Sequence, residues 1–277
     1  MPDDAIDIAG RSCRIAGDPA DHYFMTAADN AASLRRLGII AAAVAPIDGT
    51  ILDVGANIGL SALTLAAQVP RGRVFAFEAS PRTAAYLRRN AEANAPGVIE
   101  AVASAVGAED GVAAFHQHPS FSAGSHVLSA HHASAAGKER VEVPMTTLDT
   151  FARARGLIRV DLIKIDVEGF EADALAGAAE TIARFRPVIL AEMNSFTLIA
   201  MRNQNPRAFI EGILAAYAHV SWMDAEGDLH PITLEGLYDF MHTHLVAHAL
   251  VSDLVFCDDD AWVSRYRALV RWRHLAP

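Results

Sequence analysis

Residues 50–59 read T-I-L-D-V-G-A-N-I-G, and this stretch restricts the fold more than any other. Ile51, Leu52 and Val54 make the short apolar run of a strand buried on both faces. Gly55 and Gly59 then turn the chain into an amphipathic segment over 60–69. Strand, glycine turn and helix in that order build a nucleotide-type pocket, because glycine lets the backbone turn tightly and lets a ligand approach it closely.

The flanking sequence continues the alternation. Apolar runs over 73–78, 98–106, 160–165, 187–191, 220–223 and 251–257 read as strands. Helical spacing is found over 28–45, 81–94, 171–185 and 206–217, with a basic helix starting near Ala261. Ser80-Pro81 marks the start of the second of these, a capping serine followed by proline at the first helical position. Residues 113–116 and 140–143 look like paired strands around a polar, small-residue loop, 117–138, whose length suggests a working or moving part. Short strand-like runs surround Gly10 near the start. Alternating strands and helices predict an α/β fold, a doubly wound and mostly parallel sheet. Residues 1–45 read as an N-terminal β/helical extension or cap, and 46–277 as one domain.

Composition bounds the partners. Lys plus Arg is 23 against 33 Asp plus Glu, a formal charge of −10, which argues against nucleic acid and anionic membrane. Cys13 and Cys257 make no disulfide framework and no C-x-x-C pair. Asp3, Asp4 and Asp7 do not fit a secretory signal. The longest apolar run, 37–45, is too short to span a bilayer. A cytoplasmic enzyme is the expectation, with no stable membrane insertion.

Open parallel sheets bind ligands at the carboxyl ends of their strands. Four such ends are polar here: 53–59, Glu78, 166–169 and 192–194. Glu78 follows Gly59 by 19 residues, where a carboxylate can accept hydrogen bonds from both hydroxyls of a ribose. A dinucleotide site prefers G-x-G-x-x-G, because its pyrophosphate sits on the helix N-terminus. This chain has G-A-N-I-G, with Asn57 in the middle and Asp53 two residues before the first glycine. S-adenosylmethionine has no phosphate but carries an ammonium that an acidic strand end can receive, so it is the expected cofactor. An NAD-type dehydrogenase is the alternative, and Asn57 and the lack of an evident hydride-transfer acid count against it. A non-catalytic S-adenosylmethionine-binding protein is a further alternative.

D-V-G-A-N-I-G, F-A-F-E-A-S-P, T-L-D at 147–149 and K-I-D-V-E-G-F-E at 164–171 together resemble the FkbM-type S-adenosylmethionine-dependent methyltransferases. D-H-Y at 21–23 and A-G-S-H at 123–126 also sit where similar segments occur in that family. The resemblance covers roughly residues 20–195. It implies the class I methyltransferase fold: a Rossmann-like seven-stranded sheet with an antiparallel last strand. It also implies methylation of a hydroxyl on a sugar, polyketide or other small metabolite. The chain after Asn194 matches no named pattern.

Carried over residue by residue, Asp53, Gly55, Asn57 and Gly59 would wall the methionine end. Glu78 would hold the ribose, Ser104 and Ala105 would flank the adenine, and Asp166 would sit beside the sulfonium and the incoming hydroxyl. Asp166, Glu168 and His126 are the candidate catalytic bases. Glu168 is also readable as a charge that suits a helix N-terminus, and His126 as a solvated loop histidine. No metal is expected, although Asp166, Glu192 and Asn194 are oxygen ligands of the kind Mg²⁺ takes. The plainer reading is that Glu192 and Asn194 line the substrate pocket. His242, His244 and His248 lie at helical spacing and read as surface or satisfied core histidines rather than zinc ligands. The expected partner is a small-molecule or glycosidic acceptor, with a homodimer left open.

Overall fold

The computed structural model describes residues 5–128 and 139–275. Part of the expected loop, 129–138, and the acidic start at 1–4 lie outside the described residues. A hairpin of β1 (Ile6–Ile8) and β2 (Arg11–Cys13) comes first, followed by α1 (His22–Met25), α2 (Ala27–Ser33) and α3 (Arg35–Val44). The helix expected over 28–45 is therefore two helices with a break at Leu34, whose side chain lines the site described below.

The central unit follows: β3 (Thr50–Val54), α4 (Leu60–Ala66), β4 (Arg73–Phe77), α5 (Pro81–Asn94) and β5 (Ile99–Val102). The Ser80 hydroxyl accepts the Thr83 N–H at 3.3 Å, which fixes the start of α5 where Ser-Pro predicts it. The strand expected over 98–106 divides after β5. Its second piece, β6 (Ala105–Val106), joins a separate sheet with β7 (Gly111–Gln117), β8 (His126–Val127) and β9 (Glu139–Thr146), in the order β6-β9-β7-β8.

Beyond it come α6 (Leu148–Ala154), β10 (Leu162–Ile165), α7 (Glu171–Ala176), α8 (Ala179–Phe185), β11 (Val188–Asn194), α9 (Ser195–Arg202) and α10 (Pro206–Ala216). The chain closes with β12 (His219–Met223), β13 (Leu229–Pro231), α11 (Leu237–Val246), β14 (Val251–Cys257) and α12 (Val263–Leu275). The helix expected over 171–185 breaks between α7 and α8 at Gly177, and α9 had no sequence expectation at all.

The main sheet has the order β13-β12-β14-β11-β10-β3-β4-β5. β11, β10, β3, β4 and β5 run parallel, and β14 is antiparallel to β11. The seven expected strands are all present, and β13 adds an eighth at the edge as a hairpin on β12. Side chains alternate strictly along β3: Ile51 belongs to the core under α3 and α4, Leu52 and Val54 to the core under α6, α8 and α10. Both faces are covered, so both parities are apolar, as a parallel sheet requires. Each wholly buried Leu or Ile contributes about 1.5–3 kcal/mol, so the centre of the sheet is a firm base for its strand ends. Residues from the first 45 (Ile8, Cys13, Ala27, Leu37, Ile40) share the first of these cores with β3 and α4. Among the described residues, no helix is long and apolar enough to cross a membrane.

Candidate active site

The turn from β3 to α4 is built by three residues in the left-handed region: Gly55 at φ 81, Asn57 at φ 51 and Gly59 at φ 100. At Gly55 the need for glycine is steric as well. A Cβ there would lie 1.8 Å from the Asp166 carbonyl oxygen on the neighbouring strand end. The N–H groups of Gly55 and Ala56 both donate to the Phe77 carbonyl, which ties the turn to β4.

Glu78 ends that strand. Its Oε2 accepts the Asn57 N–H at 3.0 Å and its Oε1 accepts the Ser80 N–H at 2.8 Å. Burial raises its pKa to about 7 against the opposing pull of those two N–H groups. A carboxylate has about four lone-pair sites, so each oxygen keeps capacity for one more donor. Glu78 lines a cavity of about 270 Å³, and that remaining capacity fits two vicinal hydroxyls of a ribose-bearing ligand.

Beneath the turn, Asp53 is wholly buried, its Oδ2 accepting the Ser61 hydroxyl at 2.7 Å. The parallel register places Lys164 on β10 directly opposite it. The Lys164 Nζ lies 3.6 Å from Asp53 Oδ1 and 3.3 Å from Asp166 Oδ2, and donates to the Gly55 carbonyl at 3.1 Å. Burial opposes the Lys164 charge, yet Asp166 and Asp53 outweigh it and raise its pKa. Burial also raises the pKa of Asp53, with Lys164 and the Ser61 hydroxyl acting the other way.

The far end of the cavity is acidic. Asp166, Glu168 and Glu192 each bring one oxygen within 4.8 Å of the others. Glu168 is held there by local geometry: it has φ 54, Gly169 follows at φ 95, and the Glu171 carboxylate accepts the N–H groups of Val167 and Gly169 at 3.1 and 3.2 Å. Burial raises the pKa of Glu168 to about 8, with Asp166 and Glu171 adding to it. Burial, and then the neighbouring Asp166, also push Glu192 up strongly. Glu171 rises to about 7 through burial.

Of the residues singled out from sequence, Gly55, Asn57, Glu78, Ser104, Ala105, His126, Asp166 and Glu168 line this cavity. Asp53 and Gly59 do not; Asp53 lies under its floor, and Gly59 packs on Leu87. The Asn57 side chain is a tether rather than an open ligand group, because its Oδ1 accepts the Ile58 N–H and the Ser122 hydroxyl. Ser104 spends its hydroxyl on the Ala105 and Pro144 carbonyls. His126 is not a solvated loop histidine: it is 3 % exposed, sits in β8, and its Nδ1–H donates to the Gly124 carbonyl at 3.1 Å. Asn194 stands apart from the acidic group, since its side chain caps α9 by accepting the Phe196 and Thr197 N–H groups. The three clustered oxygens come from Asp166, Glu192 and Glu168 instead.

His244 is a buried structural group. Its two ring nitrogens meet the hydroxyls of Ser195 and Ser252 at 2.7 and 2.8 Å, and burial lowers its pKa to about 4. Sequence reasoning missed Lys164, Tyr23 and Ser61, which line the cavity, and Glu171 just behind it. Lys164 stands inside K-I-D-V-E-G, but its role depends on the register with Asp53, which one sequence does not show.

Comparison with known proteins adds a family. The methyltransferase FkbM domain matches residues 53–212. The chain is 31% identical over 153 residues to the 2-O-methyltransferase NoeI of Sinorhizobium fredii, covering 50% of this chain and 61% of that protein. It is 26% identical over 143 residues to the hexuronic acid methyltransferase AglP of Haloferax volcanii, covering 52% and 55%. The chain thus spans less than two thirds of the length of these relatives. Among solved structures, a methyltransferase FkbM from Methylobacillus flagellatus has a TM-score of 0.45 at 16% identity, over 76% of this chain and 44% of that one.

Proposed function

The chain belongs to the FkbM methyltransferase family, and on that premise we propose that it transfers a methyl group from S-adenosylmethionine to a hydroxyl on a sugar or another small metabolite. The observation that carries the reading is Glu78, a buried carboxylate at the cavity wall whose two oxygens each hold one backbone N–H and keep room for one hydroxyl. That arrangement suits a ribose. The sulfonium of S-adenosylmethionine supplies an already activated methyl, so alignment in line with the acceptor oxygen accounts for much of the rate.

The residues of this chain do the positioning. Gly55 and the tethered Asn57 would wall the methionine end, and Ser104 and Ala105 would flank the adenine, since all four line the cavity. Asp166 and Glu168 would face the acceptor side, and whichever is ionised takes the proton released when the acceptor oxygen bonds to the methyl carbon and the sulfur–methyl bond breaks. His126 is the third group able to take it. Residues 1–45 serve as a cap, since Tyr23 and Leu34 form part of the cavity wall, and 46–277 make up the methyltransferase domain. NoeI and AglP are named for methyl transfer to a 2-O position and to a hexuronic acid, which favours a glycosidic acceptor here.

The test is transfer of radiolabelled methyl from S-adenosylmethionine to a panel of hydroxylated sugars and glycosides, with and without chelator. Label in a sugar product is expected. Thermal stabilisation by NAD and none by S-adenosylmethionine would overturn the reading. Activity that disappears with chelator and returns with Mg²⁺ would assign the acidic oxygens to a metal.

A further inference from the structure

The chain has two lysines, against a large majority of arginines among its basic residues, and one of the two is the buried Lys164. The place suits an ammonium and not a guanidinium. Three oxygens converge on one point from three directions: Asp53 Oδ1 at 3.6 Å, Asp166 Oδ2 at 3.3 Å and the Gly55 carbonyl at 3.1 Å. A compact tetrahedral donor meets such a set, and a planar fork does not. Two of the three oxygens belong to the β3 strand and its turn, and the third belongs to the acidic end.

We propose that Lys164 is the positioning residue of this site: its ammonium ties Asp166 to Asp53 and to the Gly55 carbonyl, so that one cation sets both the methionine wall and the acceptor-side carboxylate. The proposal rests on the reading of the cavity as an S-adenosylmethionine site. The cation also acts on Glu78, Glu168 and Asp253. Tyr23 approaches Lys164 from α1, Asp53 from β3, and Asp166 from the end of its own strand. Asp166 in turn faces Glu168, Glu171, Glu192 and Asp253, and Arg36 of α3 faces Asp253. Lys164 is therefore the cation at the meeting point of a carboxylate-rich surround. Without it, a wholly buried Asp53 has no counter-charge and takes up a proton.

Lys164→Met keeps most of the volume of the stem and removes the charge. Calorimetry of S-adenosylmethionine binding at pH 7, run in two buffers of different ionisation enthalpy, counts the protons exchanged on binding. The wild type gives the reference count, because Glu78, raised to about 7 by burial, gives up part of a proton when it accepts ligand hydroxyls. K164M is expected to release about one proton per ligand more than the wild type, because a cationic ligand drives the proton off the carboxylate that lost its ammonium. Equal proton counts in the two proteins would reduce Lys164 to a packing residue and overturn the proposal. A wild type that does not bind S-adenosylmethionine would overturn the underlying reading, a different failure.

Melting temperatures cover the case in which K164M does not fold. The double variant K164M/D53N removes one charge of each sign and is expected to melt several degrees above K164M. A double variant no more stable than K164M would overturn the proposal on its own.

Discussion

The two ends of the cavity solve the problem of buried charge in opposite ways. At the glycine-turn end, Glu78 accepts two backbone N–H groups, and Asp53 accepts a serine hydroxyl and faces an ammonium. At the far end, Asp166, Glu168 and Glu192 crowd together, and Lys164 reaches only Asp166 among them. The first end has its internal donors in place before any ligand arrives. At the second, Asp166 adds to the burial that raises the proton affinity of Glu168 and Glu192, a suitable state for groups that must take a proton during reaction.

Gly55→Ala strikes the point where the two ends touch. Its Cβ would sit 1.8 Å from the Asp166 carbonyl oxygen, at φ 81. The loss in unfolding free energy should be about 3 kcal/mol or more, from left-handed strain plus a backbone displacement. Urea denaturation measures it, and a loss below about 1 kcal/mol would mean that the two strand ends are not locked together.

The contrast also predicts a pH dependence. Glu78 and Glu171 titrate near 7 and Glu168 near 8 in the folded chain, all raised from 4.5. Between these limits the folded state binds more protons than the unfolded one, so stability falls as pH rises. That contribution is complete below about pH 4.5 and gone above about 8. A fall of several kcal/mol between pH 5.5 and 8.5 is expected. Melting curves over that range would contradict the account if stability rose instead. Glu192→Gln should flatten the slope, because it removes a carboxylate from the crowded end.

Ser61→Ala removes the hydroxyl that Asp53 accepts at 2.7 Å. A cost of about 1–2 kcal/mol is expected, since a buried carboxylate is left short of a donor. The glycine-turn end is already satisfied, so a change there should destabilise. The opposite sign is expected at the crowded end. Glu168→Asn keeps a residue that tolerates φ 54 and removes a charge, so a gain of about 1 kcal/mol at pH 8 should accompany a loss of methyl transfer. A destabilised Glu168→Asn protein would show that the carboxylates there are not in conflict.

The legible parts of the sequence were those fixed by local chemistry. Ser80-Pro81 specifies its own helix start, and the β3 run with its glycine turn specifies strand, bend and helix without help from distant residues. The breaks at Leu34 and Gly177 were hidden, because tertiary packing decides them and both windows carry acceptable helical spacing. The strand over 98–106 read as continuous, yet it changes sheets at Ser104 to close the cavity. Lys164 and Asp166 are near neighbours at the end of β10, but Asp53 lies far away in sequence on β3, so its meeting with them is a property of register. Asn57 stood out as an odd residue in a glycine turn. Its use as a tether to Ser122 requires a partner 65 positions away that no local pattern marks.

The central claim is that the carboxylate of Glu78 holds a ribose at the finished end of the cavity. Calorimetry with S-adenosylmethionine on the wild type and Glu78→Ala tests it most directly. The wild type should bind one equivalent, and Glu78→Ala should lose affinity by about 30-fold or more, the loss of two hydrogen bonds to a charged acceptor. Undiminished binding by a folded Glu78→Ala protein would contradict the assignment of this wall and the reading built on it.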